Sequence, residues 1–293
     1  MSSKLFSLRN QFYIGNYQQA INEGSLKLKS PKDKLERDCY VYRSYIGLGN
    51  YQMVLNSVSE SDPLELKVIK LYASLLNNPE ENTEVVLDTL KGWLTEIDLE
   101  NDYLFQIMAA TIYSNTGNYD EALRVLSQSN ELETSALKIQ IYLLIERQDK
   151  AIEELGTIRK INEDATIYQL ASNWIELSSN DEQSIQKALE SYNEIGQIYG
   201  KSISILNAIA VCHMKLGEFS QAEQLLKKAL EKNPIDPMTN SNLVTALGKS
   251  GFNSNIFKKQ VATLLSLREK TPLIEQYLKL ENEFDQIAEQ FNK

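Results

Sequence analysis

The stretch Lys201–Pro237, KSISILNAIAVCHMKLGEFSQAEQLLKKALEKNPIDP, decides the fold. It carries two apolar stripes at helical spacing, Ile203, Leu206, Ile209, Ala210 and His213, then Ala222, Leu225, Leu226, Ala229 and Leu230. Gly217, Glu218 and Phe219 form a short turn between them, and Pro234 stops the second helix. Small residues stand at Ala210, Ala222 and Ala229, where two antiparallel helices must approach closely, and larger ones fill the seam. The pattern predicts a helix–turn–helix unit of the tetratricopeptide kind, whose repeat is 34 residues long.

One such unit cannot bury its own apolar face, so copies are expected on either side. Gly15-Asn16-Tyr17 with Ala20 recurs 34 residues later as Gly49-Asn50-Tyr51 with Val54. Gly117-Asn118-Tyr119 with Ala122 follows after 68, two periods. Gly217-Glu218-Phe219 with Ala222 comes 100 residues on, and Gly251 34 beyond that. Five near-phase occurrences of one turn signature predict an all-α, right-handed α-solenoid of tetratricopeptide-like repeats. At 293 residues the chain is read as a single domain of roughly eight repeats. An apolar fraction of 42% suits a solenoid, in which each layer touches only its neighbours.

Between the turns, the sequence predicts a long helix over Asp33–Leu48 and another beginning at Pro63. The run NNPEEN at Asn77–Asn82 reads as a polar, turn-forming insertion, and Ser178–Gln183 as a longer loop. Thr134–Leu155 reads as a compressed unit with Ala151 in the small position, Asp164–Ile195 as a stretched one with Ala188 there. Pro272 opens a C-terminal capping helix reaching Phe291, with Leu, Ile and Phe expected inside.

Composition narrows the function. A net charge of −10 opposes binding to a nucleic-acid backbone. Cys39 and Cys212 are the two cysteines and make no disulfide pattern, which favours a reducing, cytosolic setting. No window reaches the ~18–20 continuous apolar residues of a membrane span, and MSSKLFSLRNQFY has no signal-peptide core, so a soluble protein without direct membrane insertion is expected. His213 is the single histidine and stands where Tyr113 stands in the earlier repeat, so packing rather than acid–base chemistry is its expected role. Glu80-Glu81, Glu153-Glu154 and Glu163-Asp164 fall in loops or on solvated faces, and no metal-ligand spacing or phosphate-binding loop is present. Neither catalysis nor a cofactor is expected.

Several stretches are more specific than the repeat. FYIGNYQQAINEG at Phe12–Gly24, ERDCYVYRSYI at Glu36–Ile46, MAATIY at Met108–Tyr113, NEDATIYQLASNWIEL at Asn162–Leu177 and ENEFDQ at Glu281–Gln286 resemble the epsilon-subunit family of coatomer, the COPI vesicle coat. The resemblance implies a non-enzymatic coat subunit that cycles between cytosol and Golgi membrane, peripheral on COPI-coated vesicles. It implies a role in Golgi-to-endoplasmic-reticulum retrograde and intra-Golgi protein transport, with the alpha subunit's C-terminal region as the partner around which the repeats curl.

Stacked helix pairs expose the first helix of each repeat on a concave face. The candidate partner-binding residues there are Arg43 and Ile46, then Ile107, Thr111 and Ser114, then Asn207, Val211 and Met214. Packing against neighbouring repeats is the competing role for each. A peptide-binding co-chaperone is the first rival function, and it needs a cluster of Lys and Arg, whereas Arg43 stands alone on the expected face. An enzyme on a helical toroid is the second, and it needs paired acids or histidines inside the ring.

Overall fold

The computed structural model describes residues 5–96, 102–250, 254–267 and 272–291. Every regular element among them is helical. Backbone contacts divide the chain into two compact units, Met1–Ser179 and Asn180–Lys293.

The first unit holds α1 (Phe6–Tyr13), α2 (Tyr17–Glu23), α3 (Pro31–Gly47), α4 (Tyr51–Ser57), α5 (Leu64–Asn77), α6 (Pro79–Glu96), α7 (Tyr103–Asn115), α8 (Tyr119–Leu126), α9 (Leu132–Leu144), α10 (Gln148–Arg159) and α11 (Thr166–Ser178). The second holds α12 (Glu182–Tyr199), α13 (Ile203–Lys215), α14 (Phe219–Lys232), α15 (Pro237–Lys249), α16 (Ser254–Ser266) and α17 (Pro272–Phe291).

The turn signature has a single geometry. Gly15, Gly49, Gly117 and Gly217 all take φ between 73° and 79°, the left-handed region that glycine enters without a Cβ clash. At each, the next residue's N–H donates to the carbonyl five residues back. Asn16 bonds Gln11 at 2.8 Å, Asn50 Tyr45 at 2.9 Å, Asn118 Tyr113 at 2.8 Å and Glu218 His213 at 2.8 Å. The glycine N–H itself donates three residues back. This is the Schellman C-cap, which satisfies the last carbonyls of the first helix while reversing the chain. The turn between α9 and α10 is built identically without glycine: Glu146 takes φ 59° and Arg147 N–H reaches Tyr142 O at 2.8 Å.

Five residues beyond each turn position the second helix crosses its partner. Ala20, Val54, Ala122, Ala151 and Ala222 are all fully buried there. Ala110 and Ala210 on the first helices and Leu126 and Leu226 on the second are equally buried, so the register read from the sequence holds. Several first helices begin with a side-chain cap instead. Ser30 accepts from Asp33 N–H, Asp102 from Phe105, Ser202 from Ile205 and Asp236 from Thr239.

Three expectations change. NNPEEN is no loop: only Asn78 interrupts the helices, because Pro79 takes a first helical position and Glu80 and Glu81 complement the helix dipole in the first turn. The loop after Ser178 shrinks to residues 179–181, with Asp181 capping α12 through Ser184 N–H at 2.9 Å. Along α17 only Ile274 and Leu278 pack inward, against Leu264, Leu267 and Val244. Leu273, Tyr277, Leu280, Phe284 and Ile287 lie exposed. The expected turn at Gly251 lies outside the described residues.

Candidate functional site

The first helices of unit 1 close on themselves. α1 packs on α3, α3 on α5, α5 on α7, α7 on α9 and α9 on α11, and α11 returns to pack on α1. Tyr13 at the end of α1 joins the apolar cluster of Ile139, Ala151 and Ile167. A row of helices that would leave an open concave face therefore rings a central, half-open hollow.

Buried polar groups lock the closure. Glu133 of α9 accepts a hydrogen bond from Tyr40 Oη at 2.6 Å and a longer one from Tyr13 Oη at 3.3 Å, and it is ion-paired with Arg43 of α3. The two tyrosine hydroxyls lie 2.8 Å apart. The Arg43 guanidinium also stacks 4.5 Å above the Phe12 ring. Beside this cluster Arg9 pairs with Glu36, whose Oε1 also accepts from Tyr103 Oη at 2.9 Å. α1, α3, α7 and α9 are thus joined through two buried ion pairs and the tyrosine hydroxyls bonded to them. Burial alone would lower the Arg43 guanidinium, but Glu133 and Tyr40 outweigh it and hold it above its ordinary value. Burial, reinforced by the Glu133 charge, pushes the Tyr13 and Tyr40 hydroxyls well up.

The hollow measures about 500 Å³. Its lining includes Arg43, Ile107, Thr111 and Ser114 from the sequence-derived set, while Ile46 lines a smaller adjoining recess with Tyr72 and Met108. Arg43 and Glu133 are the charged residues of the lining, and they face each other. What remains is an uncharged, amphipathic surface: Thr111, Ser114, Asn115 and Gln140 beside Ile167, Trp174 and the exposed Leu144. Such a wall matches backbone amides and apolar side chains of an inserted segment better than a carboxylate terminus, since the lining arginine is already paired.

In unit 2, Asn207, Val211 and Met214 lie on α13. Asn207 is engaged within the fold, donating to Thr239 Oγ1 at 2.7 Å and accepting from Asn242 at 2.8 Å. Met214 packs on the cluster of Ala210, Ala222 and Leu243, and Val211 is half-buried. His213 is half-buried too, its Nδ1 2.6 Å from Glu218 Oε2, so it braces the turn rather than entering the core as Tyr113 does. Among the described residues no group of acidic, Cys and His side chains is placed to hold a metal ion, and no helix is long and apolar enough to cross a membrane.

Sequence reading missed Phe12, Glu133, Gln140 and Trp174. The candidates stand three, six or ten residues before a turn glycine: Ile46 and Arg43 before Gly49, Ser114, Thr111 and Ile107 before Gly117. Of the six positions at the same offsets from Gly15 and Glu146, Phe12, Gln140 and Ala136 line the hollow and Leu5, Arg9 and Leu143 do not. The signal was partial: Glu146 hid the phase for Ala136 and Gln140, while Phe12 stood in phase with Gly15.

Comparison with known proteins agrees with this architecture. Human IFIT1 aligns over 98% of the chain and 73% of its own length with a TM-score of 0.59 at 15% identity. A tetratricopeptide repeat protein from Parabacteroides merdae aligns over 88% and 99% with a TM-score of 0.50 at 11% identity. At those identities the likeness concerns the fold alone. By sequence, coatomer subunit epsilon-1 of Arabidopsis thaliana is 37% identical over 257 residues, covering 88% of this chain and 87% of the relative. Coatomer subunit epsilon of Dictyostelium discoideum is 36% identical over 275 residues, covering 91% of each. The profile of the family described as "Coatomer epsilon subunit" matches residues 1–292. The chain belongs to the coatomer epsilon subunit family, structural components of a vesicle coat.

Proposed function

We propose that this chain is a non-catalytic subunit of the COPI coat that holds the C-terminal region of the coatomer alpha subunit. In that role it serves Golgi-to-endoplasmic-reticulum retrograde and intra-Golgi transport. The observation that carries the reading is the half-open hollow ringed by the first helices of unit 1, with its internally neutralised charge pair and otherwise uncharged lining. A segment threaded there gains affinity from burial of apolar side chains and from bonds to Thr111, Ser114 and Gln140. Ile46 is assigned as a further contact in unit 1, and in unit 2 the half-buried Val211, with the outer parts of Asn207 and Met214 beside it, is assigned as a separate contact. Membrane recruitment runs through the coat, since the net charge of −10 opposes anionic lipid.

The test is purification of the full chain from cells at native concentration, followed by native mass measurement. One alpha subunit per chain is expected, retained without liposomes or nucleotide. Recovery of the chain alone, or with a chaperone in its place, overturns the reading.

A further inference from the structure

α17 carries an apolar seam that, among the described residues, stays largely exposed. Leu273, Tyr277, Leu280, Phe284 and Ile287 succeed one another at intervals of four, three, four and three residues, which aligns them along one side of the helix over about 21 Å. Leu280, Phe284 and Ile287 are 65%, 70% and 54% exposed. The helix is anchored by a different side, through Ile274 and Leu278, and that side turns polar beyond Leu278. A heptad seam this regular is more than an isolated exposed leucine, because it fits the side of a second helix.

The charge around the seam says what kind of helix. Along α17, Glu275, Glu281, Glu283, Asp285 and Glu289 stand against Lys279 alone, and Glu281 and Glu283 lie directly beside the seam, Glu283 in a long, solvent-exposed pair with Lys279 at 3.9 Å that contributes little. A second copy of α17 would bring the same negative charge, and anionic lipid would be repelled likewise. We propose that the exposed seam of α17 docks a basic amphipathic helix of a partner protein, with lysines or arginines beside its own heptad seam facing Glu281 and Glu283. This site belongs to unit 2 and does not depend on what fills the hollow of unit 1.

Site-specific photo-crosslinking in the full chain tests it. A benzophenone amino acid replaces Tyr277, the chain is illuminated in its native assembly, and the captured peptide is sequenced by mass spectrometry. One segment is expected, from a different protein, with apolar residues at three- and four-residue intervals and net positive charge. Capture of a second copy, of lipid, or of an acidic or unpatterned segment overturns the proposal, as does no capture. In the same background Leu280→Asp with Phe284→Asp is expected to lower the yield at least tenfold. Glu281→Lys with Glu283→Lys keeps the seam and is expected to lower it comparably while leaving the thermal melt unchanged. An undiminished yield in either variant overturns the proposal.

Discussion

Removing the Glu133 carboxylate should open the closure of unit 1. The Arg43 and Glu133 side chains are only 13% and 10% exposed, so little solvent screens the pair. Glu133→Ala leaves the Arg43 guanidinium buried without its counter-ion and deprives Tyr40 of its acceptor, and breaking a buried pair on one side costs about 3–5 kcal/mol. At ~2–4 °C per kcal/mol for units of this size, the transition of unit 1 should fall by roughly 6–20 °C. Replacing both partners removes the stranded charge. Arg43→Met with Glu133→Leu should therefore recover most of the loss, because apolar replacement of a buried pair is often neutral. The assay is a double-mutant cycle by circular dichroism melts, with each single variant, the double and wild type. The expected coupling exceeds ~1 kcal/mol, within the range for residues sharing one network. Two single variants that each cost under ~1 kcal/mol and simply add would refute the argument that this pair locks α3 to α9.

Other expectations follow from particular positions. Glu146→Gly should stabilise the chain by up to about 1 kcal/mol, while Gly117→Ala, with open space around its missing Cβ but φ 77°, should cost about 1–2 kcal/mol, both read by urea denaturation. Ala222→Phe should cost on the order of 1–3 kcal/mol by overpacking the α13–α14 crossing, whereas Lys228→Ala on the exposed face should leave the melt unchanged. Alkali should unfold the protein. Burial raises Tyr72 from 10.0 to about 12 and pushes Tyr13, Tyr40 and Tyr103 higher, so the folded chain keeps protons that the unfolded chain releases. Stability is then full below about pH 10 and falls as pH rises from 10 toward 12. A pH titration followed by circular dichroism should show helix loss together with the last part of the tyrosinate absorbance, the part due to the buried tyrosines, and complete tyrosinate formation in a still-helical protein would contradict this.

The repeat register was legible because the Schellman turn imposes glycine at one position and the helix crossing imposes a small residue five positions later. Both demands are local, so Gly117 and Ala122 announce them in sequence. Where another residue accepts the strain, as Glu146 does, the mark vanishes although the turn persists. The NNPEEN run misled for a similar reason: its composition suits a turn, but Pro79, Glu80 and Glu81 are equally the residues of a helix start. Closure of the first helices was not legible at all. It rests on Tyr13, Arg43 and Glu133, pairs separated by 90 to 120 residues, and no spacing rule links them. For that reason Arg43 read as a lone cation on the concave face, when it is paired with Glu133 inside the ring of helices. The exposed seam of α17 was visible as apolar periodicity, but periodicity alone does not say which stripe finds a partner within the chain.

Ser114→Trp, titrated calorimetrically against the purified C-terminal region of the alpha subunit, tests the role of the hollow most directly. Ser114 is half-buried on the lining and takes no part in the Arg43–Glu133 pair, and an indole there fills space that the partner would occupy. Lost burial of one apolar side chain is worth roughly 1.5–3 kcal/mol. Affinity should therefore fall at least tenfold, a decade being ~1.4 kcal/mol, while the thermal melt of the variant stays that of wild type. A folded variant that binds the alpha segment as tightly as wild type would place the partner elsewhere and contradict the assignment of the hollow.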